Sequence, residues 1–110
     1  MSEGHDSAPF RFIEASGKLR NGLYLRGIRV FEDRVAFDVF ASRPIEMREL
    51  ADLSLTDDAG TKYAMVYPNS PVLDGRGRID FQPALPDGAL FSLGQPGWGL
   101  LAYRNDEDRG

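Results

Sequence analysis

The chain has 110 residues, 42% hydrophobic and 27% charged, enough apolar content for one folded domain without support from metals or disulfides. It has no cysteine, which excludes a disulfide framework, a thiolate nucleophile and a thiolate metal site, and fits a reducing compartment. The net charge of −4 lies mainly at the ends: Glu3 and Asp6 have no neighbouring base, and Asp106, Glu107 and Asp108 outnumber Arg104 and Arg109, while the body between has 12 acids and 11 bases.

A nearly neutral body lacks the electrostatic footprint of nucleic-acid binding. The opening Met1-Ser2-Glu3-Gly4-His5-Asp6-Ser7 has two acids and no apolar stretch, so it does not read as a secretory signal. No run approaches the roughly 20 apolar residues of a membrane span. The expectation is a cytoplasmic chain with no membrane insertion. Residues 1–9 and the acidic residues 105–110 are expected to be disordered tails around one domain over residues 10–104.

In chain order, Phe10–Ala15 opens the fold as a strand, with Phe10 and Phe12 flanking Arg11. Leu23–Phe31 follows the turn pair Asn21-Gly22. Val35, Phe37 and Val39 then alternate with Ala36, Asp38 and Phe40, the period of a half-buried strand. A hairpin tip at Glu32-Asp33 sets Val30 against Val35 and Ile28 against Phe37. Leu23 and Leu25 have the opposite parity, which a bulge at Gly27 corrects. Ile45–Leu50, after Pro44, is long enough for a single helical turn only.

A second hairpin is predicted at Asp57-Asp58-Ala59-Gly60-Thr61, with Gly60 left-handed. It pairs Leu55 with Tyr63 and Leu53 with Met65. Tyr67-Pro68-Asn69-Ser70-Pro71 ends that strand, because two prolines cannot continue a ladder. Residues 68–78 read as the longest irregular stretch, turning at Asp74-Gly75. Ile79 and Phe81 mark the next strand, and Pro83–Gly88 a corner. Ala89–Leu93, a turn at Gly94–Gly97 and Trp98–Arg104 complete the domain.

Short strands separated by tight turns predict an all-β fold: a two-sheet antiparallel sandwich of seven or eight strands, or alternatively a small closed barrel. The segments Asp33–Phe40, Leu53–Tyr63 and Phe81–Ala89 resemble bacterial immunoglobulin-like sandwich domains, where a "D-x-x-G-T-x-Y" hairpin precedes a "P-x-L-P-x-G" corner. The resemblance covers residues 23–93 and implies a binding or scaffolding module. It departs from antibody-type domains in lacking paired cysteines and in having its one tryptophan in the last strand.

No catalytic pattern stands out. The one histidine, His5, lies in the N-terminal tail, so neither a Ser-His-Asp triad nor a histidine metal site is expected. Asp57 and Asp58 read as turn residues bonding their own backbone. Asp38, Asp80 and Glu14 could supply a carboxylate pair, but no spacing selects two of them. Gly75-Arg76-Gly77 lacks the Lys-Ser/Thr ending and following helix of a phosphate loop. No cofactor is called for.

The aromatics Tyr24, Tyr67, Trp98 and Tyr103 stand near strand ends beside Gly, Pro or Arg, where they serve either as contact anchors or as plugs of the core. With Asn69, Ser70, Arg76 and Arg78 on the long loop, Trp98 and Tyr67 form the candidate binding set. The expected function is a non-catalytic module acting through a protein partner or self-association. The alternative is a small-molecule or lipid carrier with an apolar cavity between the sheets.

Overall fold

The computed structural model describes residues 9–66, 71–97 and 100–105. Tyr67, Asn69, Ser70 and Trp98, with residues 1–8 and 106–110, lie outside the described residues. The strands are β1 (Phe10–Ile13), β2 (Gly17–Arg20), β3 (Leu23–Phe31), β4 (Val35–Glu46), β5 (Ser54–Asp57), β6 (Ala64–Val66), β7 (Val72–Gln82), β8 (Leu90–Gly94) and β9 (Leu100–Arg104). A single 3-10 turn, Met47–Leu50, follows β4 where the sequence allows one helical turn. Among the described residues no helix is long and apolar enough to cross a membrane.

The first hairpin forms in the expected register. Val30 pairs with Val35 and Ile28 with Phe37, and the Phe31 N–H donates to the Arg34 carbonyl at 2.9 Å. The register shifts between Leu25 and Gly27, and this bulge returns Leu23 and Leu25 to the core. Pro44, which has no N–H to give a ladder, sits within the next irregularity, between Ala41 and Ile45 of β4.

All pairings are antiparallel, and they build two sheets. The large sheet runs β1-β3-β4-β7-β6, with β2 also beside β3; the small one runs β5-β8-β9. Neither closes into a barrel, so the architecture is the two-sheet sandwich, with nine strands among the described residues. The strand Gly17–Arg20, absent from the sequence reading, arises because the Asn21-Gly22 turn folds it back onto β3, with Gly22 at φ 85°.

Two sequence expectations are corrected. The Leu53–Met65 hairpin does not form. Leu55 pairs with Leu93 of β8, whereas Met65 pairs with Phe81 of β7 in the other sheet. The Asp57–Tyr63 segment crosses between sheets, because Asp57 Oδ1 accepts the N–H groups of Ala59 and Thr61, at 3.0 and 2.9 Å, in place of a facing strand. Gly60 is left-handed as expected, at φ 79°.

The second correction is that residues 72–78 are strand rather than loop. Asp74-Gly75 is not a chain reversal: Gly75, at φ 73°, lies opposite Ala41 where β4 loses register, and the positive φ absorbs that irregularity within a continuous ladder.

The core lies between the sheets. Phe37 and Phe81 of the large sheet meet edge to face at 5.8 Å, and Phe37 reaches Phe91 of the small sheet at 6.5 Å. Ile28, Val35, Ile79, Leu55 and Leu93 surround them, all buried. Burying each such side chain contributes about 1.5–3 kcal/mol. Just past the predicted domain end, Asn105 is fully buried. Its side-chain amide donates to the Pro86 carbonyl at 2.8 Å, and its Oδ1 accepts from Arg11 at 2.7 Å.

Candidate binding face on the large sheet

Side chains alternate across a strand, so the register that buries Ile28, Phe37 and Ile79 turns their neighbours outward. The outer face of the large sheet thereby carries Phe10 and Phe12 from β1, Tyr24, Arg26, Arg29 and Phe31 from β3, Asp38 and Phe40 from β4, and Arg76, Arg78 and Asp80 from β7.

Arginine–carboxylate forks stitch the middle of this face. Arg29 holds Asp38 through two bonds of 3.0 and 2.6 Å, and Arg78 holds Asp80 through bonds of 2.7 and 2.9 Å. Arg34, from the β3–β4 turn, adds a third bond to Asp80 at 3.1 Å. Two parallel N–H bonds to one carboxylate fix the guanidinium plane as well as its position. Asp80 is only 8% exposed. Burial alone would raise its pKa, but the bonds from Arg78 and Arg34 outweigh that and hold it below the usual carboxylate range.

The same guanidiniums cover the aromatics. Arg29 lies 5.7 Å from the Phe10 ring centre, Arg78 lies 5.4 Å from that of Phe31, and the two rings are 5.3 Å apart. Phe12 remains 55% exposed and Phe10 48%. The Phe12 ring rests on the backbone of Gly27, where an added Cβ would stand 2.8 Å from its edge. The glycine that makes the bulge thus also seats an exposed aromatic.

Arg26 and Arg76, together with Asp38, Val39 and Gly77, line an open depression of about 410 Å³. Both arginines are exposed, and neither has a hydrogen-bond or ion-pair partner among the described residues.

Of the site residues expected from sequence, Arg76 and Arg78 sit on this face as strand residues, and Trp98, Tyr67 and Asn69 are not among those described. Tyr24 is exposed on the same face, paired with Phe40. Tyr103 belongs to the core margin: its ring lies 6.2 Å from Phe91 and its hydroxyl donates to the Ser16 carbonyl at 3.1 Å. Sequence reasoning passed over Phe10, Phe12, Arg26 and Arg29. A signal existed for the last of these, since the register that sends Ile28 and Val30 inward sends Arg29 outward.

The described residues contain no group of three or more His, Cys, Asp or Glu arranged to hold a metal. Asp38 and Asp80 are held by arginines, and the face presents guanidinium donors, which suit anions, beside exposed rings, which suit apolar groups. Comparison with known protein families, curated proteins and solved structures finds no match for this chain.

Proposed function

We propose that the chain is a non-catalytic protein-interaction module of immunoglobulin-like sandwich type that binds through the outer face of its large sheet. The observation that carries this reading is the exposure of Phe10 and Phe12 in fixed positions among paired arginines. Aromatic residues and arginine are the types enriched in the cores of protein interfaces, and rigid aromatics bind at low entropic cost. The cluster of buried side chains around Phe37, Phe81 and Phe91 supports this module over a carrier.

The test is capture of a partner from lysate of the native host by wild type, by the Phe10→Ser/Phe12→Ser variant and by Leu100→Ser. Leu100 is an exposed residue of the small sheet. Wild type and Leu100→Ser should retain the same partner, and the double phenylalanine variant should lose it while keeping its circular dichroism spectrum. Light scattering on the same proteins reads self-association. Equal capture by all three, or no capture by a strictly monomeric wild type, overturns the reading.

A further inference from the structure

We propose that Arg26 and Arg76 form a two-point clamp for the carboxylates of an extended acidic peptide segment lying across the strands, with an apolar side chain of that segment against Phe12. This rests on the outer face being the binding surface and names the chemistry of its partner.

The arginines divide into two groups. Arg29 is paired with Asp38, and Arg34 and Arg78 share Asp80, on the face itself. Arg26 and Arg76 have no hydrogen-bond or ion-pair partner among the described residues. A guanidinium presents a planar fork of N–H donors that matches a carboxylate, so each of these exposed side chains can take an external anion.

Their placement suits a short segment. Arg26 is the extra residue of the β3 bulge, next to the Gly27–Asp38 pair, and Arg76 pairs with Phe40 from β7. Their strands flank β4, which puts the two backbones about 9.5 Å apart. Same-side residues of an extended peptide are about 6.7 Å apart, within reach of two long side chains converging on one depression. The next same-side position beyond Arg26 falls toward Phe12, which sits over Gly27. The matching pattern is an apolar residue followed by acids at alternate positions.

Charge complementarity favours carboxylates on a peptide over a nucleic-acid strand. Two free cations match two carboxylates. A continuous polyphosphate would meet Asp38, Asp74 and Asp80 on the same side of the sheet, on a chain of net charge −4.

The experiment is fluorescence anisotropy with a labelled peptide Gly-Leu-Ser-Glu-Ser-Glu-Gly, its Gln-for-Glu counterpart, and an oligothymidylate of similar length as competitor. The acidic peptide should bind saturably, weaken as salt is raised, and lose about tenfold or more in affinity to Arg26→Gln/Arg76→Gln. Arg48→Gln, an exposed arginine beyond the face, should bind like wild type. The clamp is overturned if the Gln peptide binds equally well, if the double arginine variant is unaffected, or if oligothymidylate binds more tightly than the peptide. If the acidic peptide fails while partner capture still depends on Phe10 and Phe12, only the clamp falls. Loss of both removes the face as a binding surface.

Discussion

The hydroxyl of Tyr63 donates a 2.6 Å hydrogen bond to Oδ2 of Asp57, and this bond ties the end of one sheet to the approach of the other. Burial pushes the Asp57 carboxyl up, but the bonds from Tyr63, Thr61 and Ala59 outweigh it and bring its pKa down to about 2. Burial and the same bond hold the Tyr63 phenol well above its ordinary value. An interaction with the charged form of an acid contributes stability above the acid's unfolded pKa and loses it as pH falls through the folded one.

Tyr63→Phe should therefore cost about 1.5 kcal/mol at neutral pH. The gap between variant and wild type should narrow as pH falls from about 3.9 toward about 2, because Asp57 becomes protonated in both proteins. Urea unfolding at several pH values checks this; a gap independent of pH would mean that the hydroxyl does not act through the charged Asp57 carboxylate. At the alkaline end, the raised Tyr63 pKa contributes stability below the phenol's unfolded value, lost as pH rises through the folded one.

Gly60→Ala should destabilise by about 1 kcal/mol, since a Cβ disfavours the left-handed backbone. Gly60 has φ 79° and no atom within 4 Å of an added Cβ, so this cost is conformational, without a clash. A melting temperature equal to that of wild type would contradict it.

Gly17→Ala tests the opposite case. No positive φ is involved, but the new Cβ would stand 2.8 Å from Leu101 Cδ1, where β2 approaches β9. The atoms met are the end methyls of a partly buried side chain that can give way, so the cost should be about 1 kcal/mol, the low end for overpacking. Adding Leu101→Ala should recover part of the loss, and a double-mutant cycle measures the coupling. Strict additivity would show that the two residues do not press on each other.

Asp80→Asn should lower stability by about 1–2 kcal/mol, less than for a deeply buried pair because Arg34 and Arg78 remain partly in water. The lowered Asp80 pKa contributes stability above the ordinary carboxylate range and loses it on acidification. The variant should therefore show a shallower acid decline in stability than wild type. An unchanged acid limb would assign the acid sensitivity to other carboxylates.

Much local order was legible in the sequence, though not the strand pairing expected across Asp57–Thr61. The Glu32-Asp33 hairpin, the Gly27 bulge and the left-handed Gly60 follow from side-chain parity and backbone sterics within a few residues. Arg29 could have been placed outward by the same reasoning. The gathering of Phe12, Arg26 and Arg76 could not, because it depends on β1 and β7 settling on opposite sides of the β3–β4 pair.

Parity leaves the choice of partner open. Leu55 and Tyr63 need the same inward parity whether their strands pair in one sheet or face each other across the core, so the pattern that predicts a hairpin serves a crossover equally well. Gly75 needs a positive φ both in a turn and in a bulge; only the long β4 ladder beside it decides for the bulge, and with it that Arg76 and Arg78 stand on a rigid strand. The amino-acid sequence by itself determined the all-β class, the alternation of inward and outward residues and the chemistry each position offers, since these depend on the residue and its chain neighbours. The tertiary structure alone decided which strands share a sheet and hence which arginines find carboxylates, because distant segments meet through the burial of one common core.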